Sequence, residues 1–375
     1  MKTSRLIREI FSQPTAPFRE GWVLRKIESL LTESKIPYFC DRSGNIIAGA
    51  ASAKKARLAK IAFLAHTDHP GFHVVKQSKR RVDALWLGGA PFKTMKGSRV
   101  RLFDPARPEF EATGRLTYVS PILNHHEGIV IKILLDQNVV LNTNCFGAFD
   151  FDGLKRKGDK IITRVADDFA GVVMALGMLM DTKRKTQTLA IFTRAEEVGF
   201  IGCLALLKSE ILNPKMAIVS LEASRTLDGA LIGQGPVLRL GDRTTLFHTD
   251  LCNQMWQVAL GLKKKKKTFQ FQRRVMDGGS CEATALGVFG FATSGLSVPL
   301  GNYHNQGKHG PAPEIVSMRD VENGRIFCTA LADQFQESSH WTKGFRTRLE
   351  KELKLLKPKL LRPSLDVFEH QGRKA

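Results

Sequence analysis

Residues 61–68 read Ile61-Ala62-Phe63-Leu64-Ala65-His66-Thr67-Asp68. Five consecutive apolar residues, too few for a helix and without polar alternation, are the pattern of a strand buried on both faces of a parallel sheet. The run ends on His66 and Asp68, so two side chains able to bind metal or move protons stand at a strand's C-terminal end. Open α/β sheets assemble their sites at such ends. Upstream, residues 19–31 carry apolar positions at helical spacing, and Gly44-Asn45 turns into the short apolar run Ile46-Ile47. Downstream, helical patterns at 170–180 and 199–208 alternate with buried-strand patterns at 188–193 and 216–221. This alternation predicts an α/β fold with a mainly parallel central sheet flanked by helices.

The texture changes between residues 74 and 160. Short β-branched runs at 97–103, 114–119 and 128–134 alternate with Gly, Pro, Asn and Asp, which predicts a small β-rich module inserted into the α/β domain. The expected organisation is therefore a discontinuous catalytic domain (1–73 and 161–340), the insert (74–160), and a basic helical tail (341–375).

The chain has 375 residues, long enough to bury a large core without disulfides. Its six cysteines are scattered with no Cys-x-x-Cys pair, which argues against a zinc ribbon or a secreted disulfide framework. The N-terminus lacks the apolar core of a signal peptide, and no apolar run is long enough to span a bilayer. A cytoplasmic protein without a membrane partner is the expectation. The net charge of +21 is the unusual figure, and much of it is local. Lys263–Lys267 with Arg273 and Arg274 contribute +7, and the stretch from His340 onward carries ten basic against four acidic residues. The lysine run reads as a solvated loop. No motif that reads RNA or DNA accompanies it, so nucleic acid is not an expected partner; a basic RNA-binding or scaffold protein with a vestigial site is the reading from another class.

Four segments place acids or histidines after predicted strands or just before a helix: His66 and Asp68, Asp167-Asp168, Glu196-Glu197, and Glu222. His304, in the Gly/Asn-rich loop Gly301-Asn302-Tyr303-His304-Asn305, is a fifth. Singly, each has an ordinary explanation; Asp167-Asp168, for instance, suits a helix cap. Together they suit a pair of divalent cations, whose mutual repulsion calls for a bridging carboxylate and further anionic ligands. Neutral imidazoles suit borderline metals such as zinc. A carboxylate placed like Asp68 can fix the tautomer of a ligand histidine, and one left free of metal can serve as general base.

These motifs, in this order, resemble the M42 class of metal-dependent aminopeptidases within the M20/M28/M42 co-catalytic zinc peptidases. His66-Thr67-Asp68-His69-Pro70-Gly71-Phe72 resembles that family's His-x-Asp-x-x-Gly-Phe, Asp167-Asp168-Phe169-Ala170-Gly171 its Asp-Asp-x-x-Gly, and Glu196-Glu197-Val198-Gly199 its Glu-Glu-Val-Gly. The resemblance implies that His66 holds one metal and His304 the other, with Asp167 bridging and its peptide bond to Asp168 cis. It implies Glu197 as a ligand, Glu222 completing the second metal's shell, Asp68 behind His66, and Glu196 as general base. It further implies two zinc-type ions per subunit (cobalt or manganese being alternatives), a peptide substrate, and a homo-oligomer dimerising through the insert. The chain differs from the family pattern at Glu222, where Asp is usual, at Phe169, and at 278–283 and 302–305. An amidohydrolase, deacylase or carboxypeptidase with the same metal centre is therefore the neighbouring reading. His69, His73 and the pair His125-His126 have no ligand role in it, and Cys281 is expected on the substrate side.

Overall fold

The computed structural model describes residues 1–121, 128–337 and 341–360; His125 and His126 lie outside the described residues. It divides into residues 1–335 and residues 336–375. The second unit contains the helix Trp341–Leu360, as the tail's pattern predicts, with Leu349, Leu353 and Leu356 exposed.

The strand Ile61–His66 is buried at every position. It lies between the strands Thr188–Thr193 and Ala217–Arg225, parallel to both, and Ala217–Arg225 pairs in parallel with Ala292–Leu300. The reason for the unbroken apolar run is visible in the packing. Ile61, Phe63 and Ala65 enter one core with the helices Thr3–Phe11, Phe169–Asp181, Thr249–Lys265 and Met318–Gln334. Ala62 and Leu64 enter another on the opposite face, with residues of Ile201–Lys208 and Glu282–Val288. A strand with period two that feeds two cores can carry no polar side chain, and each fully buried Leu or Phe contributes about 1.5–3 kcal/mol. The sheet has eight strands and is mixed: Ile46–Ala48 and Val237–Asp242 join the parallel centre antiparallel.

After Asp68 the chain leaves this sheet and builds a closed six-stranded barrel from strands between Gly71 and Phe149. Ile129–Leu135 alternates in burial: Ile129, Ile131, Ile133 and Leu135 point inward, while Val130 and Leu134 are exposed. The barrel ends before residue 160. Lys155–Lys157 and Lys160–Thr163 instead form a three-stranded sheet with Glu314–Ser317, which returns the chain to Arg164–Asp168. The lysine run is a loop only in part: Lys263–Lys265 form the last turn of the helix Thr249–Lys265, where cations favour the negative end of the helix dipole, while Lys266 and Lys267 lie beyond it and all five are exposed.

Candidate metal centre

His66 is the last residue of its strand, and Glu222 lies within the adjacent strand Ala217–Arg225 of the same sheet. Asp167 precedes the helix Phe169–Asp181 across a cis peptide bond to Asp168. Asp168 turns away and caps that helix, its Oδ1 accepting from the Gly171 N–H at 2.9 Å. Glu196 and Glu197 occupy the loop after Thr188–Thr193, and His304 a loop after Ala292–Leu300. Parallel strands with their C-terminal ends on one edge bring these five segments together.

Asp167 sits in the middle. Its Oδ1 is 3.4 Å from His66 Nε2 and its Oδ2 3.6 Å from His304 Nε2, so each oxygen faces a different histidine. Glu197 Oε2 is 3.1 Å from His304 Nε2, whereas Glu222 Oε2 is 4.0 Å from His66 Nε2. The donor atoms of His66, Asp167 and Glu222 form one compact group, and those of Asp167, Glu197 and His304 another. Glu222 thus groups with His66 and not with His304, as the resemblance was read to imply. Glu196 Oε2 lies 4.0 Å from His66 Nε2, and its carboxylate also belongs to a group with His66 and Glu197. Asp68 stands behind His66, Oδ1 to Nδ1 3.5 Å, and accepts the N–H groups of Glu196 (2.9 Å) and Glu197 (3.1 Å). One carboxylate therefore orients the imidazole and the two-glutamate loop at once.

The site is buried and strongly acidic, and its proton affinities show it. For Asp167, burial is outweighed by the close approach of the His304 and His66 imidazoles, which hold its carboxyl well below the usual range. Burial pushes Glu222 up to about 7 against the pull of His66 and Arg239. Burial likewise raises Glu196, with Glu222, Glu197 and Glu282 adding repulsion. Burial would lower His304, but Glu197 and Asp167 push it up to about 10. The raised Glu196, Glu222 and His304 share one cause besides burial, the crowding of negative charge, and divalent cations relieve the same excess. Two unpartnered buried atoms fit that role: His304 Nε2 and Glu197 Oε1 make no hydrogen bond.

Several contributors escaped the sequence reading. Glu314, fully buried, accepts the N–H groups of Ala166 (2.7 Å), Asp167 (3.2 Å) and His304 (2.8 Å), tying together the segments that carry two of the donors. His69, expected to be idle, bonds the Asp167 carbonyl through Nδ1 at 2.8 Å and faces Asn305 Oδ1 at 3.3 Å. These bonds hold a strained loop, since Asn302, His304 and Asn305 all have φ between 53° and 58°, a region costly for residues with a Cβ. Beside the cluster lies a small cavity lined by Asp167, Glu222, Arg225, Arg239, Ser280 and Tyr303, among others. Arg239 is 4% exposed, and its Nε has no hydrogen-bond partner. Cys281 is buried rather than facing that cavity, and burial pushes its thiol up to about 12.

The model of the M42 glutamyl aminopeptidase family matches residues 137–325, just over half of the 375 in the chain. The chain belongs to this family, and with it to the peptidases. No curated protein matches the chain. Among solved structures, the Pyrococcus horikoshii TET1 peptidase, whose description has it assembling into a tetrahedron or a large octahedral shell, superposes with a TM-score of 0.71 at 19% identity over 89% of this chain and 100% of its own. An aminopeptidase from the archaeon Desulfurococcus kamchatkensis gives 0.71 at 18% identity over 91% and 97%. A Thermotoga maritima aminopeptidase of the M18 family gives 0.64 at 15% over 89% and 96%. At these identities the likeness is one of fold. No helix among the described residues is long and apolar enough to cross a membrane.

Proposed function

We propose that the protein is a di-metal aminopeptidase that removes acidic N-terminal residues from peptides. The observation that carries the metal centre is the pair of donor groups sharing Asp167, each with one histidine and one further carboxylate. His66 and Glu222 would hold one cation, His304 and Glu197 the other, with Asp167 common to both. Two zinc-type ions held there (cobalt and manganese suit the same donors) would polarise the scissile carbonyl and acidify a water. Glu196 would take the proton of the attacking water and return it to the leaving amine. Asp68 keeps Glu196 in place through its backbone N–H and His66 in one tautomer.

Arg239 supports the acidic preference. Its Nε, buried beside the cavity without a hydrogen-bond partner, is a donor that a substrate Glu or Asp side chain can meet. The same observation favours the second reading, a deacylase in which Arg239 receives the α-carboxylate of an N-acyl amino acid.

The barrel's exposed Val130, Leu134 and Tyr118 support its use as an oligomer surface, in line with the assemblies formed by the TET1 peptidase. Six unpaired cysteines support a reducing, cytoplasmic setting. The test is Glu196→Gln. Turnover should fall by about 10³-fold or more with metal content unchanged; near-wild-type rates would remove Glu196 from the mechanism.

A further inference from the structure

A second arginine, three residues before Asp167, is buried and forms no ion pair among the described residues. Arg164 is 3% exposed, and its Nε has no partner. Its other nitrogens reach only backbone carbonyls, Phe151 at 3.3 Å and Gln13 at 3.4 Å, both long for a charged donor. Its guanidinium stacks on Phe103 at 5.0 Å. Two of the three nearby carboxylates, Asp150 and Glu111, pair with Arg101, at 2.7 and 2.9 Å, and the third, Asp152, makes no ion pair with Arg164. Burial and the repulsion of Arg101 bring Arg164 down to about 10, the mark of a cation short of counter-charge.

Arg164 lines an open groove of about 1080 Å³ between the N-terminal helices and the barrel, together with Trp22, Arg25, Lys26, Arg101 and Phe103. The Trp22 indole N–H is also buried without an acceptor. Lys26 pairs with Glu9 at 2.8 Å, and Arg25 forms no ion pair among the described residues. The single acidic lining residue, Glu111, is already bound to Arg101. The groove therefore presents donors from several directions and an excess of positive charge. A carboxylate would answer one of these donors. A phosphate group, with more acceptor oxygens and up to two charges, answers the guanidinium, the indole and Arg25 together.

We infer that this groove binds a phosphate-bearing small molecule, with Arg164 as its central cation and Trp22 and Arg25 completing the contact. The site is separate from the metal centre but backs onto it, since the Arg164 carbonyl accepts from Asn305 Nδ2 at 3.1 Å.

The test is calorimetric titration of inorganic pyrophosphate into the metal-loaded full chain, with the wild type, Arg25→Glu and Arg164→Met compared. Any binding at the metals is common to all three and is identified by its loss on chelation. The inference expects a further saturable site in the wild type that quenches tryptophan fluorescence, the quench disappearing in Trp22→Phe. Its affinity should fall at least about tenfold in Arg25→Glu, an exposed position that leaves the fold intact, and further in Arg164→Met. Equal binding by the wild type and Arg25→Glu overturns it. So does a wild type that binds pyrophosphate only at the metals, including the case in which Arg164→Met alters subunit assembly, because a carboxylate from a second copy would then be the counter-charge.

Discussion

Replacing Glu314 by Gln changes one atom and should selectively weaken one metal position. The carboxylate accepts Ala166 and Asp167 through Oε2 and His304 through Oε1. A glutamine keeps one acceptor oxygen. Its better rotamer leaves that oxygen on the Ala166 and Asp167 N–H groups and turns the amide NH₂ against the His304 N–H. One charge-assisted hydrogen bond, about 1.5–3 kcal/mol, is lost, and a buried donor is left facing another donor, a further cost of about 1–3 kcal/mol. The His304 loop already bears positive φ at three residues and has little reserve with which to absorb this. If about 3 kcal/mol of the change falls on the placement of His304, affinity for the cation it shares with Glu197 drops roughly 100-fold. Chelator competition with Zn²⁺, or the visible spectrum during Co²⁺ titration, resolves the two positions. One should weaken by about that factor while the other stays within a few-fold, with turnover recovering at high metal concentration. Two unshifted metal affinities in a folded Glu314→Gln protein would refute the reasoning.

Arg239→Met should lower kcat/KM for an N-terminal Glu substrate about 100-fold relative to a Leu substrate, because the cationic donor beside the cavity is lost; competing hydrolysis assays check this. Gly89→Ala should cost about 1–3 kcal/mol and metal content at the His304 position, since a Cβ at residue 89 meets the His304 imidazole; elemental analysis of the purified variant reads this directly. His73 is held down to about 4 from 6.5 by burial and by Arg19, while Nε2 donates to the Pro17 carbonyl. With the folded value depressed, the unfolded chain takes up the proton first, so this stability is present above pH 6.5 and drains as pH falls toward 4. The wild type should lose about 2 kcal/mol more than His73→Gln between pH 7 and pH 5, measured by denaturant unfolding.

What the sequence made legible followed from strand ends. The Ile61–Ala65 run announced its own burial, and the polar residues directly after such runs could be read as neighbours before any contact was known. Asp167 and Asp168 look alike in sequence, yet one faces both histidines and the other caps a helix, a division that only the backbone's course decides. Glu314 and Arg239 were illegible for a different reason. Each lies within a strand, at Glu314–Ser317 and Val237–Asp242, and its importance comes from partners far away in sequence. A charged residue inside an otherwise apolar strand was the available signal. The first three lysines of the run were taken for loop because charge density obscured the helical spacing of Leu251, Met255, Val258 and Ala259 leading into them. The pairing of Glu222 with His66 depended on strand order, which periodicity does not contain.

The most direct test of the central claim is hydrolysis of Glu-, Asp- and Leu-p-nitroanilides beside their N-acetylated counterparts and N-acetyl amino acids, using metal-quantified protein with and without chelator. The account predicts turnover of the free-amine substrates, the acidic ones fastest, lost on chelation and restored by Zn²⁺ or Co²⁺. Activity confined to the N-acyl compounds, or turnover indifferent to chelation, would contradict it.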